Sequence, residues 1–279
     1  MGVTQRTIIK RSIGGLLVIG LIAASAAAGI LFKRAKHYYT AANAVRLDPL
    51  GLREHSTQSP PENLALVFYG DSRAAEWPEP SWLAGRTMNL GIGAQTTEQI
   101  LGRFEHHLAP LRPDIVLLQA GINDLKAIPL LPEAETEIID RCKQNIGSIV
   151  ERCQEQGANV ILTTIFPVGD LPLERRPFWS DRVDPAIAEV NQYIRSLESD
   201  RVVIIASEDA LAGEDGHVTR ESSRDFLHLS EIGYQQLNGL IRRPTESIIS
   251  MAQSETTSKT TRAKQGAGNQ LPTRREAKE

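Results

Sequence analysis

Short apolar runs alternate with longer helical patterns between residues 63 and 250. Five runs have the length of buried strands and are largely apolar: 64–69, 87–92, 114–119, 159–165 and 201–206. Four stretches between and after them carry helical signals: 96–111, 133–156, 184–197 and 230–249. Strands that are apolar almost throughout and are separated by helices predict a five-stranded parallel sheet covered by helices on both faces.

A different apolar pattern lies near the N-terminus. Ile13–Phe32 is an uncharged run of 20 residues, which as a helix would rise about 30 Å, the thickness of a bilayer's hydrocarbon core. We expect a single-pass membrane anchor within residues 1–36. A cleaved signal segment is the alternative, because Ala24-Ser25-Ala26 fits an A-x-A cleavage site. The apolar sequence continues past that site, which favours the anchor.

The charges that flank this run do not decide its orientation. Three basic residues precede it and three follow it: Arg6, Lys10 and Arg11, then Lys33, Arg34 and Lys36. The positive-inside rule therefore gives no preference. Because short N-termini usually stay inside the cell, we expect the folded domain to lie outside the cytoplasm.

The rest of the chain divides into a spacer, one domain and a tail. Residues 37–62 read as a spacer, with Ser59-Pro60-Pro61 near its end. Residues 63–250 hold the alternating pattern of a single α/β domain. Residues 251–279 are rich in Ser, Thr, Gln, Lys and Gly and lose all apolar periodicity, which predicts a disordered tail. A partner-binding arm is the alternative for this tail.

Composition excludes several classes of protein. With 41% hydrophobic residues the chain is not wholly disordered, and a net charge of −3 argues against a nucleic-acid partner. Two cysteines exclude a disulfide scaffold and any four-cysteine metal site. Cys142 and Cys153 would lie about 16 Å apart on one helix, so we expect packing thiols. His106 and His107 are adjacent on a helix, so we expect them to be solvated and to share no metal.

Polar residues follow the first three strands, at Gly70-Asp71-Ser72, Gly91–Gln95 and Gly121–Asp124. Ligands of parallel sheets bind at the carboxyl ends of the strands, so we expect these residues to converge. Asp225 and His228 come after the last strand, three residues apart, so that one turn can present both side chains to the same place. The sequence therefore places chemically useful side chains at one edge of the sheet.

These residue types can perform acyl chemistry together. Ser72 can serve as a nucleophile, His228 as the base that takes its proton, and Asp225 as the carboxylate that orients the base. The side-chain NH₂ of Asn123 and the backbone N–H groups of Ser72 and Ala94 offer donors for an oxyanion. This chemistry requires no metal and no organic cofactor.

Four sequence blocks in this order resemble the SGNH, or GDSL, hydrolase superfamily, above all its lipase/esterase-like members: GDS (70–72), NLGIGA (89–94), GIND (121–124) and DFLH (225–228). The resemblance spans about residues 63–249. It implies a flavodoxin-like three-layer α/β/α sandwich with Ser72, Asn123, Asp225 and His228 as catalytic residues, and Asp71 and Gly93 in supporting positions.

One position departs from the family's pattern. The second block of the family normally supplies a glycine whose N–H helps to form the oxyanion hole. Alignment on Asn89 puts Ala94 at that place, with Gly93 just before it. Alanine keeps the N–H, so Ala94 can donate if the backbone angles suit an L-residue.

We therefore expect a membrane-tethered serine esterase or lipase-type hydrolase of carboxylic esters, with an acyl-enzyme on Ser72. Its partners would be an ester substrate and, through Ile13–Phe32, a membrane. An O-acyltransferase acting on a glycan or other acceptor would use the same residues. A non-catalytic, membrane-anchored binding module would keep the fold without needing all four side chains. The pattern selects neither an acyl chain nor an alcohol, and it predicts no oligomeric state.

The stretch 168–183 follows the fourth strand on the side of these residues. It carries Arg175 and Arg176 together with Phe178 and Trp179. A polar surface loop is one interpretation. The other is a lid or substrate wall whose arginines attract anionic groups.

Overall fold

The computed structural model describes the backbone of residues 3–268 and the side chains of residues 15–254. The chain divides into two units, residues 1–51 and residues 52–279. The first unit is dominated by one helix, α1 (Val3–Leu47), whose described side chains are almost all exposed. The helix is long and apolar enough to cross a membrane, a test that a signal sequence also passes. It continues through the first part of the stretch in which the sequence predicts a spacer.

The second unit is built on a five-stranded parallel sheet. The strands are β1 (Leu66–Gly70), β2 (Thr87–Gly91), β3 (Ile115–Gln119), β4 (Asn159–Thr163) and β5 (Val202–Ile205). They are arranged in the order β2-β1-β3-β4-β5, and every neighbouring pair is parallel. This is the flavodoxin-like sheet that the sequence predicts. Helices cover both of its faces, which confirms the three-layer α/β/α sandwich.

The two faces of the central strands pack into two separate cores. Val67 and Tyr69 of β1 contribute to one core, whereas Leu66 and Phe68 contribute to the other. Successive side chains of a strand point to opposite faces, so a strand that is covered on both sides must be apolar at every position. All five residues of β1 are accordingly buried.

Eight helices are described in this unit: α2 (Ser72–Ala75), α3 (Thr97–Gly102), α4 (Phe104–His107), α5 (Ile122–Leu125), α6 (Glu135–Glu155), α7 (Val183–Ser196), α8 (Glu208–Leu211) and α9 (Glu231–Gly268). Single 3₁₀ turns lie at Ser81–Leu83, Ala109–Leu111, Pro132–Ala134 and Arg176–Phe178. The long helices α6 and α7 lie within a residue or two of their expected bounds. Gly157, with φ of 89°, follows α6 in the left-handed conformation typical of a helix end.

The helix expected over 96–111 is broken into α3, α4 and a 3₁₀ turn. The break lies at Gly102 and Arg103, and Pro110 lies in the final turn. Glycine weakens a helix interior, and the fully buried side chain of Arg103 is held by partners in the site described below. Tertiary contacts therefore override the local helical pattern here.

Helices α3, α4, α6 and α7 cover one face of the sheet, and α9 covers the other. The first core takes in both Cys142 and Cys153, which are buried free thiols, as the sequence predicts. The second core takes in Tyr234, Leu237 and Ile241 of α9. The sheet thus lies between two helical layers, and its carboxyl edge stays open for the site.

The last helix runs further than the sequence suggests. It passes through Pro244 and continues to Gly268, so the backbone of residues 251–268 is helical in a stretch for which the sequence predicts disorder. No glycine occurs in that stretch before Gly266, and the next proline is Pro272, so no helix-breaking residue stops it earlier. Residues 269–279 of the expected tail lie outside the described residues.

Candidate active site

The turn after β1 carries Ser72 and depends on a glycine. A Cβ at Gly70 would lie 1.8 Å from the backbone oxygen of Gln119 on β3. Only glycine allows the two strands to approach this closely. Asp71 then caps α2 by accepting a 2.8 Å hydrogen bond from the backbone N–H of Arg73. Ser72 is therefore the first residue of a short helix at the carboxyl edge of the sheet.

Ser72 meets His228, 156 residues further along the chain. Its Oγ lies 3.1 Å from Nε2 of His228, and Nδ1 of the same ring lies 2.9 Å from Oδ2 of Asp225. A carboxylate only accepts hydrogen bonds, so Nδ1 carries the ring proton and Nε2 can accept the proton of the serine. The three side chains thus have the order and contacts of a serine–histidine–aspartate triad.

The carboxylate of Asp225 is held by its own turn. Oδ1 accepts hydrogen bonds from the backbone N–H groups of Leu227 and His228, each at 2.8 Å. Partial burial alone would raise the pKa of Asp225, but these two bonds and the His228 imidazole outweigh it, and the pKa lies below its ordinary value. The carboxylate therefore stays charged and keeps the imidazole in one orientation.

The three donors predicted for an oxyanion hole each keep a hydrogen that is not used within the described part of the chain. The backbone N–H groups of Ser72 and Ala94 make no hydrogen bond within the described part of the chain. Asn123 stands on α5, at the carboxyl end of β3, and its Nδ2 donates one hydrogen to the backbone oxygen of Gln95 at 3.0 Å. The second hydrogen of this amide has no acceptor among the described residues.

The second sequence block stabilises the turn that carries Ser72. Asn89 donates from Nδ2 to the backbone oxygen of Ala74 at 2.8 Å and to that of Trp77 at 3.2 Å, so it caps the end of α2. A Cβ at Gly91 would lie 2.1 Å from the backbone nitrogen of Ala75. The Asn-x-Gly part of this block thus holds β2 tightly against the helix of Ser72.

Ala94 adopts the left-handed conformation, with φ of 62°. Glycine occupies this region without steric cost, whereas for an alanine it costs about 1–2 kcal/mol. The fold therefore holds Ala94 in a backbone conformation that glycine adopts more readily. Gly93, just before it, has room for a side chain, since a Cβ there would meet only the Cβ of Ser72 at 4.0 Å.

A buried arginine that the sequence did not predict, Arg73, lies beside Ser72. Arg73 is fully buried and donates from Nε to the backbone oxygen of Leu227 at 2.9 Å and from Nη1 to that of Phe166 at 3.1 Å. Its own backbone oxygen accepts from the Tyr234 hydroxyl at 2.9 Å. The turn of Ser72 is thereby tied to the turn of His228. The sequence offers only the position of this arginine, directly after the serine, as a signal.

Asp71 shares this buried environment. Burial raises the pKa of its carboxyl group to about 6, and the charge of Arg73 only partly opposes that effect. Oδ2 of Asp71 has no hydrogen-bond partner among the described residues. Asp71 thus supports the turn through its cap, and its negative charge is costly to keep.

A second buried arginine, Arg103, joins the first block to Gln95, the residue directly after the second block. It donates from Nη2 to the backbone oxygen of Gly70 at 3.0 Å and from Nε to the side chain of Gln95 at 2.6 Å, and its guanidinium lies 4.3 Å from the ring centroid of Tyr69. His107 lies beside it and is buried, so the expectation that both histidines are solvated is wrong for His107. The break between α3 and α4 turns this ring inward. His106 is exposed, as expected.

The third block contains one structural residue and one unexpected cation. Asp124 is buried, and it accepts from the backbone N–H of Thr97 at 2.9 Å and from its hydroxyl at 2.6 Å, so it anchors the start of α3. Lys126 donates from Nζ to Oδ1 of Asn123 at 3.0 Å. Neither Asp124 nor Lys126 has a role that the sequence predicts. In the described part of the chain, no group of three or more His, Cys, Asp or Glu is placed to hold a metal ion.

The loop after β4 packs against the turn of His228. The backbone N–H of Gly169 donates to the backbone oxygen of Phe226 at 2.8 Å, and Trp179 packs edge-on against the Phe226 ring. The guanidinium of Arg175 lies 5.8 Å from the centroid of the same ring. A cavity of about 460 Å³ is lined mainly by this loop, together with Asp184, His217 and Phe226, but by neither Ser72 nor His228. The loop therefore borders the candidate site through Phe226.

The structure thus brings together Ser72, His228 and Asp225 by direct hydrogen bonds. It places Asn123 and the N–H of Ala94 at the ends of the two strands that flank β1. Asp71 and Gly93 lie directly beside these groups in the chain. Every site residue that the sequence predicts therefore lies at the carboxyl edge of the sheet or in the turn before α9. Their catalytic roles stay predictions.

Known proteins resemble this chain in sequence and in structure. The model of the GDSL-like Lipase/Acylhydrolase family matches residues 68–236. Platelet-activating factor acetylhydrolase IB subunit alpha1 of Rattus norvegicus is 27% identical over 178 residues, which cover 61% of this chain and 69% of that protein. The alpha2 subunit of Homo sapiens is 26% identical over 172 residues, which cover 61% and 66%.

Solved structures share the fold at lower identity. A GDSL-like lipase from Bacteroides thetaiotaomicron superposes with a TM-score of 0.56 at 21% identity, covering 71% of this chain and 98% of that one. A putative acylhydrolase from Bacteroides fragilis superposes with a TM-score of 0.57 at 22% identity, covering 72% and 98%. These likenesses show that the α/β/α sandwich is an architecture found in acylhydrolases.

Proposed function

Since the chain belongs to the GDSL-like lipase/acylhydrolase family and is an ester hydrolase, we propose that it cleaves carboxylic esters through an acyl-enzyme formed on Ser72. The observation that carries this proposal is the 3.1 Å contact between Oγ of Ser72 and Nε2 of His228, whose other ring nitrogen faces Asp225. A nucleophile, its base and the group that orients the base are the parts that acyl transfer requires.

In the first half-reaction, Oγ of Ser72 attacks the ester carbonyl carbon while Nε2 of His228 takes its proton. The carbonyl oxygen becomes an oxyanion and accepts from the N–H groups of Ser72 and Ala94 and from Nδ2 of Asn123. His228 then gives the proton to the leaving alcohol, the tetrahedral intermediate collapses, and the acyl group stays on Ser72.

In the second half-reaction, water takes the place of the alcohol. His228 removes a proton from the water, the resulting hydroxide attacks the acyl carbon, and the same three donors hold the oxyanion. Collapse of this intermediate releases the carboxylic acid, and the proton returns to Ser72. Asp225 stabilises the imidazolium in both halves without itself becoming protonated.

Short acyl groups are the first substrates to test. The sequence relatives at 26–27% identity are named acetylhydrolases, so acetyl esters head the series. The loop at 168–183 borders the site through Phe226. Activity over a series of p-nitrophenyl esters of increasing chain length would rank the acyl groups.

The test of the mechanism is a pair of measurements on the full-length chain. A fluorophosphonate probe should label Ser72, and Ser72→Ala should lose both the labelling and at least about 10³-fold of the ester turnover while keeping the unfolding transition. Labelling that persists in Ser72→Ala would refute the assignment. Product analysis with added alcohols adds a second check, because acylated acceptor in excess of free acid would indicate acyl transfer instead of hydrolysis.

We also propose that Ile13–Phe32 is a retained single-pass anchor that places the folded domain outside the cytoplasm. The support is an apolar helix whose described side chains are almost all exposed. The full-length chain should stay in the membrane fraction after an alkaline wash, and a chain lacking residues 1–36 should not. Protease added to intact cells should remove the domain. Full protection of the domain from protease would instead indicate that it lies on the cytoplasmic side.

A further inference from the structure

Lys126 lies at the end of α5, one turn after Asn123. It is half-buried, and its Nζ donates a 3.0 Å hydrogen bond to Oδ1 of Asn123. No carboxylate among the described residues forms a salt bridge with it. A lysine ammonium is strongly hydrated, so its partial burial beside a neutral amide costs hydration free energy that no ion pair within the described part of the chain offsets.

The contact fixes which way the Asn123 amide points. An ammonium only donates hydrogen bonds, so the atom of Asn123 that faces Lys126 must be the oxygen. The atom on the other side faces the backbone oxygen of Gln95, which only accepts, so it must be the nitrogen. The two partners therefore agree on one orientation of the amide, and in that orientation Nδ2 keeps one hydrogen for another acceptor.

We propose that Lys126 is a positioning residue for the oxyanion hole: its ammonium locks the Asn123 amide with Nδ2 facing the reacting oxygen. The positive charge on the oxygen side also polarises the amide and makes its N–H a stronger donor. This proposal rests on the proposed function, because it assigns Lys126 a part in the same acyl transfer. It adds an interaction outside the four sequence blocks.

The charged groups around Lys126 come from three other parts of the fold. Burial lowers the pKa of the Lys126 ammonium; Asp71 and Asp225 raise it, and Arg73 and Arg175 lower it further. The ammonium therefore lies in the electrostatic environment of the turn that carries Ser72, the turn that carries His228 and the loop after β4. The alternative use of such a cation is to bind an anionic group of the substrate.

Activity on a neutral substrate distinguishes a lysine that positions Asn123 from a lysine that binds an anionic group of the substrate. In the full-length chain, Lys126→Met should lower kcat for p-nitrophenyl acetate by about tenfold with less than about a twofold change in KM, because a mispositioned donor weakens only the transition state. Lys126→Arg keeps a charged donor and should recover part of the loss. Lys143→Met is the control, since Lys143 of α6 is also half-buried but pairs with Glu189 of α7, and it should leave kcat within about twofold.

A double-mutant cycle with Asn123 decides the proposal. If Lys126 acts through Asn123, then Lys126→Met should change kcat by less than about twofold in the Asn123→Ala background. The rate of fluorophosphonate labelling of Ser72 should follow the same pattern. Unfolding transitions of all variants, followed by circular dichroism, identify any that fail to fold, and Lys126→Gln then replaces Lys126→Met.

Several results would overturn the proposal. Additive losses in the cycle would show that Lys126 acts independently of Asn123. A rise of KM confined to anionic esters, with unchanged kcat for p-nitrophenyl acetate, would show a substrate-binding cation instead. If the wild-type chain labels at Ser72 and Lys126→Met behaves like it, only the positioning role fails. If the wild-type chain neither labels nor hydrolyses any ester, the proposed function fails with it.

Discussion

Two neighbouring turns at the carboxyl edge of the sheet carry Ser72, the proposed nucleophile, and Ala94, whose backbone N–H is a proposed oxyanion donor. The two turns differ in how their sequences meet the conformation that the backbone requires. The nucleophile turn (residues 70–75) has glycine where no side chain fits, and a carboxylate caps its helix. The oxyanion loop (residues 91–95) has an alanine, Ala94, where the backbone is left-handed. Arg103 holds both, through the backbone oxygen of Gly70 and the side chain of Gln95.

The contrast between Gly70 and Ala94 shows at which kind of position the fold tolerates a residue other than glycine. At Gly70 a side chain would collide with the backbone of β3, which cannot move without disturbing the sheet. At Ala94 the cost is local torsional strain of about 1–2 kcal/mol, which a well-packed scaffold can sustain. The N–H of Ala94 is unaffected by its own side chain, so the donor is kept. Alanine in place of the family's glycine is thus tolerable at position 94, because it adds backbone strain but leaves the N–H donor in place.

The largest expected effect lies in the nucleophile turn. Gly70→Ala should lower the free energy of unfolding by more than about 4 kcal/mol, or prevent folding, because the new Cβ would lie 1.8 Å from the backbone oxygen of Gln119. Urea unfolding measures the loss. Gly93→Ala in the oxyanion loop is the control and should cost less than about 1 kcal/mol. Equal losses in the two variants would remove the contrast between the turns.

A smaller effect concerns the buried carboxyl of Asp71. Its folded-state pKa of about 6 lies above the ordinary value of 3.8, so the wild-type chain loses stability as the pH rises through this window. Asp71→Asn lacks this titration. The stability of the variant relative to wild type should therefore increase between about pH 4 and pH 7, by at most about 3 kcal/mol.

The measurement is urea unfolding of both proteins at several pH values. Asp140→Asn is the control, because this carboxylate lies on the exposed surface of α6 and should show little such trend. A relative stability of Asp71→Asn that falls as the pH rises would mean that Arg73 holds the carboxylate charged in the folded state, contrary to the burial argument.

The smallest change in the free energy of unfolding is expected at Ala94 in the oxyanion loop. Ala94→Gly should raise the free energy of unfolding by about 0.5–1 kcal/mol, because glycine relieves the left-handed strain but adds entropy to the unfolded chain. Ala84→Gly is the matched control, since Ala84 is also exposed in a loop but has φ of −49°. It should lose stability by a similar amount. A loss in both variants would mean that Ala94 is not strained.

Much of this site was predictable because its parts are local. Asp225 and His228 share one turn, so a three-residue spacing in the sequence was enough to pair them. Ser72 and Asn123 each follow a buried strand, and parallel strands end at the same edge of a sheet. The prediction fails where a contact with a distant residue determines the local conformation. Arg103 is the example: the helix expected over 96–111 is interrupted there, and His107 lies in the interior.

The periodicity of the chain by itself determined the α/β class and the number of strands, and the order of four short blocks determined the family, because both depend on residues close together along the chain. The way in which those blocks are held depends on contacts between distant parts of the chain. Arg73 reaches Leu227 across 154 positions, and the orientation of Asn123 depends on both Lys126 and the backbone oxygen of Gln95, 28 positions earlier. A hydrogen bond requires two atoms within about 3 Å, and for residues this far apart in the chain only the packed fold brings them to that distance.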